Sequence, residues 1–480
     1  MRRQQFGNPS FRWVFSEYVH HVGHASRRIT RSDVKHLWHK MASSPSDEEV
    51  TGRKWPSSGL YEGRTQGEMR IETSMVWIPA LVEVGLGLAA FAPFLVHRLS
   101  VGRWRKQGIE YPTNHTDLPP VTVLLPVWNE GLIIEKKLDN LAQQNLRCSL
   151  LVIDSASTDK TVDKIESWIQ SHPKAFDAFK LITMNERLGK TEAVRQAIES
   201  LEKDNFTGCI CMTDADAILP PDALSRLQGW FADPTVGAVG ARALRHGTLS
   251  NERTHRTMFE LLREGESARD STPFLEGSCM MWKGTAFSSQ QLNTRSNADD
   301  AQIATGVRLN GFRSLHDSNV HFEDVAPSTP EGQRRQKIRR GQGLQRLLMS
   351  HRRSWFDRRL GTFASILRRE AHFHLIAPLM VFGAGMAAVL RWGIITIAGM
   401  PNGTLAALHG SLACIELTCL VAWLLNRQGI RVPVLETVGS VFSGMEHLMI
   451  GHVYSLRGKS LHMWEQHSDT RIALSKSDLK

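Results

Sequence analysis

Apolar residues along the chain fall into runs of two lengths. Between residues 119 and about 330 the runs are short: VTVLLP at 121–126, SLLVID at 149–154, KLITM at 180–184 and CICMTD at 209–214. Helix-like patterns at 134–141, 161–169 and 191–201 separate them. Strands alternating with helices in this way predict βαβ units, and so an α/β fold with a mostly parallel sheet covered by helices on both faces.

Outside that body the apolar runs are longer. Residues 74–97, 374–400 and 404–426 each approach the ~20 residues that cross a bilayer, and the turn Pro401-Asn402-Gly403 joins the last two. The stretch 432–456 is apolar but interrupted by Glu436, Glu446, His447 and His452, which predicts an interfacial or re-entrant helix. Glu83, Arg391, His409 and Glu416 interrupt the three long runs, so buried helices of a soluble domain are the alternative. The remaining divisions are a polar tail at 1–73, a linker at 98–118, basic interfacial helices at 346–373 and a C-terminal tail at 457–480. Met1 is followed by Arg2, Arg3 and polar residues, with no apolar core of a cleavable signal.

Charge sharpens the membrane reading. The 480 residues carry a net +10, and twelve Lys/Arg against one acid, Asp357, lie between Arg334 and Arg369. Basic residues also follow the first long run (Arg98, Arg103, Arg105, Lys106) and the third (Arg427, Arg431). Positive-inside counting then makes this an integral, multi-pass membrane protein with residues 98–374 and the C-terminus in the cytoplasm. The basic cluster suits anionic membrane lipids, with Trp355 and Phe356 at the interface and Arg352 to Arg369 as one amphipathic helix. No RNP, zinc-finger or P-loop pattern accompanies it, so nucleic acid is not an expected partner. An apolar fraction of 41% excludes a disordered chain, and six cysteines without metal-ligand spacing read mostly as small buried hydrophobes.

The chemistry gathers at predicted strand ends, where sheets of this kind bind ligands. PVWNE (126–130) ends the first strand, Asp154 the second, and Asp214-Ala215-Asp216 the fourth. Asn185 to Lys190 opens a helix, bringing backbone N–H groups and a lysine to one point suited to a diphosphate. Two carboxylates two residues apart can share a hard cation such as Mg²⁺ or Mn²⁺. Asp299-Asp300 precedes a further helix, as a helix cap or as a catalytic pair.

PVWNE, VIDSASTD (152–159), NERLGK (185–190), TDADAILPPDAL (213–224), ADDAQIATGVRLNGFR (298–313), HFEDVAP (321–327) and RRQKIRRG (334–341) together resemble the inverting glycosyltransferases of family 2. The flanking apolar segments, with Trp464 and Thr470-Arg471, are similar to the membrane-integrated branch that includes chitin-, hyaluronan- and cellulose-synthase-like enzymes. The resemblance implies a GT-A domain over 119–345, flanked by transmembrane helices, that transfers a sugar from a nucleotide-sugar donor, usually a UDP-sugar. It implies Asp300 as general base. Glu130, Asp154, Lys190, Asp214, Gln336 and Arg339 would bind the donor, and Gly277 and Asp299 would line the acceptor site. Asp216 and Asp214 would hold Mg²⁺ or Mn²⁺. The Gln-x-x-Arg-Trp of processive synthases falls here at Gln336 to Arg340, with Arg340 in place of the tryptophan. Without that stacking ring, addition of one or a few sugars to a lipid-linked or saccharide acceptor fits better than polymerisation. A membrane-associated nucleotide-sugar-binding pseudoenzyme, or a binder of acidic ligands, is the alternative.

Overall fold

The computed structural model describes residues 65–480 except 247–249, 326–328, 431, 462, 464–470, 473 and 476–480. The tail before residue 65, Trp464 and Thr470 lie outside the described residues.

The central body is a seven-stranded sheet in the order β3-β2-β1-β4-β6-β5-β7. Its strands are β1 (Val121–Val127), β2 (Ser149–Asp154), β3 (Phe179–Thr183), β4 (Cys209–Thr213), β5 (Val236–His246), β6 (Cys279–Lys283) and β7 (Arg313–Val325). Only β6 runs antiparallel to its neighbours. Burial on both faces explains why these strands read as unbroken apolar runs. Val123, Leu125, Val152, Cys209 and Cys211 face one helical layer, and Leu124, Ile153, Ile210 and Met212 face the other. The first layer contains α2 (Ile134–Ala142), α3 (Thr161–Ser171) and, beyond β4, α5 (Ala223–Gly229). The second contains α4 (Lys190–Lys203) and α7 (Asp299–Leu309). Val127 pairs with Asp154 and Thr213 with Cys279, so the carboxyl ends of β1, β2 and β4 share one edge of the sheet.

Around this body lie α1 (Thr65–Arg105), α6 (Ser250–Arg269), α8 (Pro330–Ser350), α9 (Thr362–Ala371), α10 (Ala377–Ala398), α11 (Gly403–Arg427) and α12 (Pro433–Leu456). Among the described residues, three helical segments are long and apolar enough to cross a membrane: Met75–Arg105, Thr362–Ala398 and Gly403–Arg427. Two boundaries differ from expectation. The first long helix does not stop at 97 but absorbs Arg98 to Arg105, running past Pro93 and Gly102, and ends shortly before Gly108, at positive φ. The basic stretch 352–369 is not one amphipathic helix. Gly361, at positive φ, separates two short 3₁₀ turns from α9, and α9 passes through a single π turn into α10. Phe356 is exposed there, whereas Trp355 packs on a buried cluster with Phe363 and Leu367. Cys148, Cys209, Cys211 and Cys279 are buried free thiols, while Cys414 is exposed on α11.

The charges inside the long runs find one another. Arg391 of α10 has no exposed surface and donates to Glu83 of α1 at 3.0 Å, to Glu416 of α11 and to His409 of α11. Trp392 Nε1 adds a bond to Glu416 at 2.7 Å. One guanidinium thus ties together three helices whose other surfaces are apolar. Removing one partner of a buried ion pair strands the others, at about 3–5 kcal/mol. Arg391→Met is therefore expected to lower the melting temperature of the detergent-solubilised protein by several degrees. An unchanged melting curve would show that the three helices do not depend on this contact.

Candidate active site

The site grows from β4. Its buried run ends at Thr213 and delivers Asp214 and Asp216 to the edge of the sheet, where a cleft of about 640 Å³ opens. Asp214 is held from two sides: Lys190 Nζ, at the start of α4, lies 2.5 Å from Oδ1, and Ser278 Oγ donates to Oδ2 at 3.0 Å. Burial works against a charged carboxyl there, but Lys190 and Ser278 more than offset it and keep the pKa below the usual range. Burial also opposes the charge on Lys190, yet Asp214, Asp299 and Asp300 outweigh it and raise that pKa.

Asp216 meets a residue from the far end of the chain. Arg471 Nη1 lies 3.0 Å from Asp216 Oδ2, and the same guanidinium makes a fork on Glu130, at 2.7 and 3.0 Å. Glu130 is completely buried. Leu474 anchors the segment by packing on Ile133 and Ala215, and its carbonyl accepts from Lys136 Nζ.

The acid pair sits opposite. Ala298 adopts a left-handed conformation (φ 73°) that turns the chain into α7 and sends Asp299 and Asp300 into the cleft. Asp300 Oδ2 accepts from the Gly277 N–H at 3.2 Å. A Cβ at Gly277 would come within 3.2 Å of the Asp300 Cβ and 3.3 Å of Met212, so glycine permits this approach. Burial, then the neighbouring charge of Asp299, pushes the Asp300 pKa up to about 6. Asp299 Oδ2 is 3.8 Å from Lys190 and, among the described residues, has no hydrogen-bond partner. Glu276 pairs with Arg263 at 2.8 Å, and Arg340 approaches it at 3.7 Å.

The sequence-predicted residues thus fall into groups. Lys190, Asp214, Asp216, Gly277, Asp299, Asp300, Gln336 and Arg339 all line the one cleft. Asp154 and Glu130 do not line it. Asp154 is buried at the end of β2, accepting from the Ser157 N–H at 3.0 Å, and its Oδ1 has no hydrogen-bond partner among the described residues. Glu130, expected to meet the donor, instead has both carboxylate oxygens on Arg471. Arg339 also contributes its backbone carbonyl, an acceptor for Asn297 Nδ2.

Two cations matter to which the sequence reading gave no role, although Arg471 was among the residues that carry the resemblance. Arg471 lies 341 positions from Glu130, so no local pattern reveals that contact. Lys137 is fully buried beneath the site, where Nζ donates to Thr213 Oγ1 at 2.8 Å and to the Ala217 carbonyl at 2.5 Å, bracketing the Asp214–Asp216 turn. Burial lowers its pKa to about 8. A signal for it exists: on α2 it falls at the helical spacing of Ile134, Leu138 and Leu141, the core-facing side.

The donor set fits a hard divalent cation, because Asp214, Asp216, Asp299 and Asp300 line one cleft and a buried oxygen of Asp299 lacks a hydrogen-bond donor among the described residues. Asp216, with Asp214, would hold such an ion; when bound, it supplies charge stabilisation to a departing diphosphate.

Comparison with known proteins agrees with this geometry. The "Glycosyl transferase family 2" model matches residues 122–291, and "Glycosyl transferase family group 2" matches 209–425, together more than half of the chain. The chain contains a glycosyltransferase family 2 domain. It is 28% identical to the mannosyltransferase PcManGT from Pyrobaculum calidifontis, solved in complex with GDP-Man and Mn²⁺, with a TM-score of 0.63 over 80% of this chain and 100% of that one. It is 26% identical to the probable glycosyltransferase YdaM of Bacillus subtilis, over 35% of this chain and 38% of that one. With the O-antigen chain rhamnosyltransferase RfbN of Salmonella typhimurium it shares 30% identity, over 29% of this chain and 42% of that one. The chain thus spans less than half the length of these two curated relatives. The fold is GT-A, and the chain carries a glycosyltransferase family 2 domain together with candidate membrane helices.

Supporting groups behind a metal site commonly change its affinity by roughly 10–100-fold. Lys137→Met, which removes the brace under the Asp214–Asp216 turn, is expected to weaken Mn²⁺-dependent nucleoside diphosphate binding within that range. Calorimetric titration checks this, and an unchanged affinity would make Lys137 a core residue with no influence on the site.

Proposed function

We propose that the protein transfers one sugar, with inversion, from a UDP- or GDP-sugar to a lipid-linked or saccharide acceptor. The reaction would run at the cytoplasmic face of a membrane, where the positive-inside count puts the catalytic domain. The observation that carries the reading is Asp300: a carboxylate at the mouth of α7, hydrogen-bonded to the Gly277 N–H, in the same cleft as Lys190, Asp214 and Asp216.

In this reading Asp300 accepts the proton of the acceptor hydroxyl as its oxygen attacks the anomeric carbon. The bond from that carbon to the diphosphate breaks on the opposite side, which inverts the centre. Lys190, Arg339 and Arg471 steady the diphosphate, and Gln336 contributes a polar contact beside Arg339. Asp154, whose Oδ1 has no partner among the described residues, would meet the nucleoside beside the cleft, while Glu130 sets the angle of Arg471. Asp299 and Gly277 border the acceptor. Arg340, where processive relatives place a stacking tryptophan, turns toward Glu276, which supports single addition.

A general base contributes roughly 10²–10⁴-fold. Asp300→Asn is expected to lower kcat by that order while nucleoside diphosphate affinity stays within about twofold. Full activity in the variant would remove Asp300 from the chemistry. The pH profile gives an independent check. The base works ionised, and burial raises its pKa to about 6, so kcat/KM should fall as pH drops through about 6 and level off above it. A flat profile between pH 5 and 8 would contradict the assignment.

A further inference from the structure

A second cavity, of about 190 Å³, opens behind Glu276. Phe274, Glu276, Gln336 and Arg340 line both spaces, so the two are neighbours across that wall. The far side is largely apolar: Phe259 of α6, Phe373 at the root of the second candidate span, and Val441, Gly444 and Leu448 of α12. One polar side chain in it has no structural explanation. His316 of β7 is 3% exposed, and neither ring nitrogen has a hydrogen-bond partner among the described residues. Burial, reinforced by the charge of Arg263, holds its pKa down at about 3. The ring is therefore neutral at working pH, with one N–H donor and one bare acceptor. Buried polar groups are ordinarily paired, so a ring left with neither bond implies a guest that supplies one. Apolar cavities of this size accept small apolar guests, and an imidazole in the wall adds a place for one oxygen.

We infer that this cavity seats the lipid part of the acceptor: an aliphatic alcohol whose chain lies against Phe373 and α12, with an oxygen of its head group bonded to His316. A second hydroxyl of the same head group would then be the reacting one, on the side of the shared Glu276 wall that faces the cleft with Asp300. The direction of the inference rests on the transferase reading, but its test does not. A purely aqueous occupant would satisfy His316 equally well and is one outcome of that test.

The full-length protein, with ¹⁵N-labelled histidine, is placed in phosphatidylcholine nanodiscs and titrated with 1-octanol, then separately with n-octane. The His316 ring signals are assigned from His316→Gln. Expected is a saturable shift of the His316 signals with octanol, little shift with octane, and a midpoint at least tenfold higher in Gly444→Leu, which fills the cavity. Val441→Trp is a second filler should the first variant fail to fold. His316 signals unmoved by octanol would overturn the site and leave water as the occupant. Equal response to octane, or an unshifted midpoint in the fillers, would overturn the roles of His316 and of the cavity. Nucleoside diphosphate binding, measured on the same samples, separates the readings: its loss with octanol binding intact would defeat the transferase assignment and not this one.

Discussion

Carboxylates brought together at one edge of a buried sheet repel each other and lose hydration, and the structure around the cleft is organised to neutralise them. Asp214 and Asp216 arrive because β4 is a buried strand that ends there; Asp299 and Asp300 arrive because α7 starts there. Uncompensated, such charges would protonate or force the site open. Lys190 answers Asp214 and reaches toward Asp299, and Arg471 answers Asp216 and Glu130 together. Lys137 closes the turn from below. The cations that balance these carboxylates are the same groups that, in the proposed reaction, would steady a diphosphate. Asp300 stands apart because burial and Asp299 outweigh the cations near it, which leaves its pKa near the range of a general base.

The cleft is tied to the long helices by similar means. His97 of α1 lies 2.9 Å from Glu266 of α6 and 3.9 Å from Glu370 of α9, with Arg369 and His374 completing a buried polar cluster. Because α6 also carries Arg263, the partner of Glu276, the first candidate span is joined to the cleft by one rigid helix. The Arg391 contacts do the same work among the three candidate spans.

Much of this was legible in the sequence for a plain reason. Strands buried on both faces must be continuously apolar, so β1, β2 and β4 announce themselves, and their polar ends mark the site. β5 and β7 were less visible because they pair at the far edge, and β7 carries Asp317, His321, Glu323 and Asp324 within it. Of the predicted residues that line the cleft, Lys190, Asp214, Asp216, Gly277, Asp299 and Asp300 sit at or beside element boundaries, whereas Gln336 and Arg339 lie inside α8 and were marked by their motif alone. The roles of Arg471 and Lys137 were not legible: Arg471 carried part of the resemblance but its partners lie in distant parts of the chain, and Lys137 looks like a surface lysine until α2 is packed. The helix expected at 352–369 failed because charge composition says nothing of the positive φ that Gly361 imposes.

The central claim is that these carboxylates and cations form one nucleoside diphosphate site completed by a divalent ion. The most direct measurement is calorimetric titration of the purified protein with UDP and with GDP, in Mn²⁺ and in chelator, for the natural chain and for Asp216→Asn. The account predicts saturable binding of one nucleotide in Mn²⁺, lost in chelator and in the variant. Binding of neither nucleotide, or binding indifferent to both the ion and Asp216, would contradict it.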